Sequence, residues 1–292
     1  MMASELSDEQ LNNIVALALA EDLSHGDVTS EALIPRELYG KASLLAKARG
    51  IFVGGEVARR VFLRVDPALT VELLIEDGAK VKPGVVMAVI SGRVSSILKA
   101  ERTVLNFVQR LSGIASQTAR YVARGRGLPA RITDTRKTTP GLRLLEKYAV
   151  RMGGGHNHRF HLGDGILIKD NHLAALRGLG LSLKDIIVRA RQNNPRNLTI
   201  EVEVNSVSEA VEAAAAGADI VMLDNMSVDE MRQAVSLLRG QARTEASGGI
   251  NLSNVRTVAM TGVDIISIGA LTHSSKALDI SLELEPETLK LH

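Results

Sequence analysis

From about residue 130 onward the chain repeats one pattern, a short apolar run, a polar corner and then an amphipathic stretch. The runs fall at 131–135, 165–170, 199–204, 219–225, 243–249 and 264–270, and helical periodicity fills about 182–193, 206–216, 227–239 and 253–261. Strands alternating with helices must lie parallel, because the chain reaches a parallel neighbour only by crossing back over the sheet. The pattern therefore predicts either an α/β barrel or an open doubly wound sheet. No Gly-x-Gly-x-x-Gly follows a first strand and no Walker loop is present, which weighs against dinucleotide and P-loop binding.

The ends of these runs carry the chemistry. Polar residues accumulate at each C-terminal edge: Asp134-Thr135-Arg136-Lys137, Lys169-Asp170-Asn171, Glu201 and Glu203, Asp224-Asn225, Ser247-Gly248-Gly249 and Gly269. Barrel enzymes gather their working groups at that edge, and packing alone does not explain apolar strands that finish in charge. Alternation puts Glu201 and Glu203 on one strand face and Val202 and Val204 on the other. The valines suit packing against helices, so both glutamates are expected inside, with Lys169 as an available partner. Internal pairing with that lysine would account for Glu201; Glu203, nearer the mouth, is the functional candidate. The glycine-bearing ends at Ser247-Gly248-Gly249 and Gly269 suit a phosphate cradle, where backbone N–H groups can approach an anion.

Composition narrows the partners. Four Phe, three Tyr and no Trp leave an aliphatic core and no stacking platform for single-stranded nucleic acid. The absence of cysteine removes disulfides, thiolate zinc sites, iron–sulfur clusters and cysteine nucleophiles. Net charge is only +2, yet residues 120–169 hold eleven Lys/Arg against three Asp/Glu. These cations are interleaved with Gly, Thr, His and Pro, which points to small multiply charged anions as ligands and away from nucleic acid. The early apolar run at 14–20 is too short to span a bilayer, so a cytoplasmic chain without a membrane partner is expected.

The first half has a different texture. An amphipathic helix is expected at 5–22, short β runs between 41 and 98, and a long helix at about 97–123. Glycine and histidine crowd 153–161, but with no carboxylate among His156, His158 and His161 the spacing fits no fixed zinc triad. Three glycines describe a backbone bent around something, with Arg159 presented to it. His158 is assigned to the site; His156, His161 and His172 are expected to be structural hydrogen bonders.

Taken in order, several blocks resemble the quinolinate phosphoribosyltransferase (carboxylating nicotinate-nucleotide pyrophosphorylase) family: Glu21-Asp22 with Gly26-Asp27-Val28-Thr29, Ala100-Glu101-Arg102-Thr103, Asp134-Thr135-Arg136-Lys137-Thr138, Gly153 to Arg159, Leu167-Ile168-Lys169-Asp170-Asn171-His172, Glu201-Val202-Glu203-Val204, Met222-Leu223-Asp224-Asn225 and Gly269-Ala270-Leu271-Thr272-His273. The resemblance spans nearly the whole chain. Small departures are Ser24-His25 before Gly26, and His161 where a smaller residue is usual. It implies an N-terminal α/β sandwich (1–115, with 276–292 returning to it) and an incomplete, TIM-like parallel α/β barrel of about seven strands (116–275).

It also implies a reaction: quinolinate and phosphoribosyl pyrophosphate giving nicotinate mononucleotide, pyrophosphate and carbon dioxide, with Mg²⁺ as cofactor. By resemblance, Arg102, Arg136, Lys137, His158, Arg159 and Lys169 surround quinolinate and the cosubstrate's charge. Glu203 and Asp224 face the ribose hydroxyls and the metal, and Ser247, Gly248, Gly249 and Gly269 hold the 5′-phosphate. Lys137, Lys169, Glu203 and Asp224 form the catalytic set, and Arg102 completes the neighbour's site in a homodimer. Rivals are a nicotinate-specific phosphoribosyltransferase, a molybdate-linked paralogue and a phosphometabolite-binding regulator. The surplus of arginines suits a dicarboxylate, and the pair Glu203 and Asp224 would repel bound anions without a metal.

Overall fold

The computed structural model describes residues 7–291. Residues 5 and 6 of the expected first helix lie outside the described residues; the observed helix runs Asp8–Leu23, opened by a capping box between Ser7 and Gln10, and it buries Leu11, Val15 and Leu19. In chain order the strands are β1 (Leu38–Ala46), β2 (Gly50–Ile51), β3 (Thr70–Leu73), β4 (Lys80–Val81), β5 (Val86–Arg93), β6 (Arg131–Thr133), β7 (Ile166–Ile168), β8 (Ile200–Val204), β9 (Ile220–Asp224), β10 (Arg243–Ser247), β11 (Ile265–Ser267), β12 (Ile280–Leu284) and β13 (Lys290–Leu291). The chain forms two compact units, one of Met1–Ala119, Thr138–Gly154 and Ser274–His292, the other of Arg120–Lys137 and Gly155–His273.

In the first unit an antiparallel sheet runs β12-β1-β5-β3, with β13 beside β1 and a separate β2-β4 pair. β12 pairs with β1 from Ala42↔Leu284 to Ala46↔Ile280, which brings the C-terminal residues back to the N-terminal sheet. On β1 and β5, Leu44, Met87 and Ile90 are fully buried, along with Phe52, Phe62 and Ile97. On the long helix Val94–Gly125, Gly113 is required by close approach, since a Cβ there would lie 2.1 Å from the Lys276 carbonyl oxygen.

Residues 138–154, which the sequence places with the barrel, cluster instead with this first unit. Their helix, Arg143–Met152, is tied in by buried polar bonds. Tyr148 donates to Asp77 Oδ2 at 2.9 Å, while Asp77 Oδ1 accepts from the Gly54 and Gly55 amides at the start of helix Gly55–Val65. Glu146, fully buried, accepts from Arg110 Nη2 at 2.8 Å and Nε at 3.1 Å. Helical periodicity announces that a face is buried without naming what buries it.

The second unit is built on a parallel sheet ordered β6-β11-β10-β9-β8-β7. Among the described residues the sheet does not close: β6 and β7 are its edges, and beyond β6 lies a single parallel bridge, Thr133↔His156. The expected seven strands are thus six and a bridge. Val202, Val204, Val221, Leu223 and Ala246 are buried on one face. The alternate positions, Glu201, Glu203, Met222, Asp224, Glu245 and Ser247, point to the concave side. Helix Asp170–Arg177, absent from the sequence expectation, is short and buries only Leu173.

Candidate active site

All but one of the expected site residues lie in the second unit. Most stand at the C-terminal ends of its strands, but Arg159 turns toward their N-terminal ends, where with His158 it lines a cavity beside Arg131, Ile166 and Arg243. Lys169 follows β7 directly and begins the helix Asp170–Arg177. Its amide donates to His172 Nδ1 at 3.0 Å, so that histidine is a capping group, as expected. The Lys169 ammonium reaches Glu203 Oε2 at 3.4 Å. Glu203 lies opposite Met222, so Asp224 stands one inward position higher on the next strand, and Ser247 is its register partner on β10. Burial pushes the Glu203 carboxyl above its ordinary range, Lys169 opposes that rise, and Asp224 adds to it. Lys169 was expected to serve Glu201; it serves Glu203, because Glu201 sits two residues lower and its side chain is only 6% exposed.

Two glycine corners close the other side of the mouth. Gly248 and Gly249 have φ of 85° and 62°, the left-handed region, and a Cβ on Gly248 would meet Asn225 Oδ1 at 2.2 Å. Gly269 lies against Lys137: a Cβ there would stand 3.0 Å from Lys137 Cδ and 3.1 Å from His273 Nε2. Thr272 Oγ1 donates to the Lys137 carbonyl at 2.8 Å, which holds this corner, with Arg136 adjoining it, beside β11.

The glycine-rich turn is anchored from beneath. Asp134, fully buried at the end of β6, accepts from Asn157 Nδ2 at 2.6 Å and from the His158 amide at 2.9 Å. Arg159 then donates to the Gly165 carbonyl at 3.2 Å; burial and the neighbouring Arg136 charge both lower its guanidinium pKa. The His158 ring points inward, with Nε2 at 3.1 Å from Glu201 Oε2 and 3.3 Å from Glu245 Oε2. Glu245 was missed in the sequence, although the alternation that exposes Glu201 and Glu203 also applies to 243–247. His156 contributes backbone hydrogen bonds to the edge of β6, and the His161 amide donates to Asp164. Arg102 is the exception to the grouping: it lies exposed on the helix Val94–Gly125 of the first unit.

The arrangement defines a class: an unclosed parallel α/β barrel whose mouth gathers cations, two carboxylates and glycine corners, suited to small phosphorylated anions. Residues 114–283 match the family description "Quinolinate phosphoribosyl transferase, C-terminal domain", and residues 27–112 match its N-terminal domain. The chain belongs to the quinolinate phosphoribosyltransferase family. It is 43% identical over 275 residues to a probable nicotinate-nucleotide pyrophosphorylase [carboxylating] of Bacillus subtilis, spanning 94% of this chain and 93% of that one. It is also 43% identical to the chloroplastic enzyme so named in Arabidopsis thaliana, over 95% of this chain and 83% of the relative. The solved structure of NadC from Streptococcus pyogenes superposes with a TM-score of 0.90 at 43% identity, covering 97% of this chain and all of that one.

Proposed function

We propose that the protein transfers the phosphoribosyl group of phosphoribosyl pyrophosphate to quinolinate, with decarboxylation, in de novo NAD synthesis. The observation that carries this reading is the gathering of Arg136, Lys137, Lys169, Glu203 and Asp224 with two glycine corners at one barrel mouth. The pyridine nitrogen attacks the anomeric carbon as the bond to diphosphate breaks. The resulting pyridinium draws the electrons of the 2-carboxylate bond onto C2 as carbon dioxide leaves, and a proton then completes nicotinate mononucleotide. No covalent nucleophile is required, so the protein's work is alignment and charge. Lys169, Arg136, His158 and Arg159 pair with the two carboxylates of quinolinate, with Lys137 and the glycine corners on the phosphates. Glu203 and Asp224 face the ribose, where positive charge develops.

Glu203 and Asp224 also fit Mg²⁺. They are oxygen donors on adjacent strands, and Asp224 adds to the rise that burial imposes on Glu203, the mark of surplus negative charge. When bound, the ion supplies positive charge to the diphosphate and ribose oxygens. A homodimer in which Arg102 completes the neighbouring site, and a cytoplasmic location, belong to the same proposal. No helix among the described residues is long and apolar enough to cross a membrane.

An absorbance assay of quinolinate loss tests the reading. Loss must require phosphoribosyl pyrophosphate, release carbon dioxide, and stop with EDTA until Mg²⁺ is restored. Turnover of nicotinate in place of quinolinate would give the site to the non-decarboxylating reaction.

A further inference from the structure

Two buried carboxylates converge on one ring nitrogen of His158. The side chains of Glu201 and Glu245 are 6% and 0% exposed, and Glu201 Oε1 and both carboxylate oxygens of Glu245 meet no hydrogen-bond donor. With a neutral imidazole, two buried carboxylates would face each other, an arrangement that burial penalises heavily; burial and the Glu245 charge both push the Glu201 carboxyl up, and His158 opposes that rise. A proton on Nε2, held 3.1 Å from Glu201 and facing Glu245 at 3.3 Å, relieves it by its charge. The other charged groups nearby are Asp134 at the end of β6, which accepts the His158 amide, and Arg159 beside it, whose own charge acts on Glu201 and feels Arg136.

The three side chains could in principle hold a cation, since their ligand atoms all lie within 4.8 Å of one another. A proton on Nε2 fits the 3.1 and 3.3 Å contacts without any further group. A cavity of about 590 Å³ at the N-terminal ends of the strands reaches His158 and Glu201, and its lining mixes Arg131, Arg159 and Arg243 with Asp164 and Asp264.

We propose that Glu245 is a positioning residue: together with Glu201 it holds the His158 ring fixed and cationic, so that the site meets a substrate carboxylate with a permanent positive charge. The proposal rests on the reading of His158 as a quinolinate contact. An imidazole of ordinary pKa would be largely neutral at cytoplasmic pH. Here burial pulls the pKa down, but the contact with Glu201 and the charges of Glu201 and Glu245 outweigh it and push it up to about 10.

Long-range ¹H–¹⁵N NMR of the histidine rings, with His158 assigned by its loss in His158→Gln, tests the clamp directly. In the wild type His158 should keep imidazolium shifts from pH 6 to 9. In Glu245→Gln it should titrate within that range, and Glu245→Asp should restore the charged form. The KM for quinolinate in Glu245→Gln should match wild type at pH 6 and exceed it about tenfold at pH 8.5, with kcat less affected. If Glu245→Gln does not fold, Glu201→Gln provides the same comparison. A wild-type His158 that titrates below pH 7.5, a Glu245→Gln ring that stays charged, or stoichiometric line broadening of His158 by added Mn²⁺ would overturn the proposal. The expected titrations with a pH-independent KM ratio would leave the clamp standing and remove His158 from the quinolinate site.

Discussion

Replacing Lys169 with Met separates a charge that serves the fold from one that serves the reaction. The side chain is 46% exposed, and its ammonium lies 3.4 Å from Glu203 Oε2. A pair this open to solvent contributes about 0–1 kcal/mol to stability, so urea unfolding of Lys169→Met should be nearly that of wild type. Loss of a cation from a substrate carboxylate costs about 2–5 kcal/mol, or roughly 30- to 5,000-fold in kcat/KM. The pH dependence carries a sign as well. Lys169 opposes the rise that burial imposes on the Glu203 carboxyl, so without it that carboxyl rises further and stays ionised only at higher pH. The acid limb of kcat/KM for the variant should therefore move upward. Steady-state quinolinate turnover from pH 5.5 to 9, with urea titrations on the same preparations, measures both. A kcat/KM loss below about fivefold, a stability loss that accounts for the activity loss, or an acid limb moving downward would refute the assignment.

Further tests probe the remaining assignments. Asp224→Asn should lower kcat by about 10²–10³ while leaving quinolinate affinity nearly intact, as expected for charge needed mainly in the transition state; weaker affinity at unchanged turnover would move Asp224 to the pyridine side. Arg102→Ala and Lys169→Met, each nearly inactive alone, should regain about a quarter of wild-type activity after full subunit exchange, since half the dimers are then mixed and each mixed dimer has one intact site. No recovery despite demonstrated exchange would return Arg102 to its own subunit's site. Arg110→Met should cost about 3–5 kcal/mol in urea unfolding by stranding buried Glu146, and adding Glu146→Leu should recover most of it; a loss below about 1 kcal/mol would mean that Thr139, which donates to Glu146 twice, satisfies it alone.

Much of this was legible because the parallel sheet obeys simple periodicity. Strands that finish in charge drew attention to Lys169, Glu203 and Asp224, which the fold does place at one sheet edge, and alternation turned Glu201 and Glu203 to the same side. What alternation cannot supply is depth. Glu201 and Glu203 look equivalent in the sequence, yet one meets His158 inside and the other meets Lys169 at the mouth. Glu245 was passed over because its strand begins with an exposed arginine and ends in a serine, so it does not read as a charged end. The contiguous barrel boundary also hid an excursion. Residues 138–154 lie between barrel segments in sequence, but Tyr148 and Glu146 find their partners at Asp77 and Arg110. Partners 71 and 36 residues away leave no trace in local periodicity.

The strand order has a further consequence for how the molecule comes into being. Strands β7 to β10 each pair with a sequence neighbour, so they can join the sheet as they leave the ribosome, but β6 must wait for β11, the last strand of its sheet. The bond from Thr272 to the Lys137 carbonyl spans 135 residues. Loop closure over such a span adds only a logarithmic entropy cost, but pairings this distant in sequence form late and slowly. The corner that joins Lys137 to Gly269 is thus among the last features to form during synthesis. Until then, a nascent chain offers the cell's phosphorylated metabolites separate charges and no finished pocket.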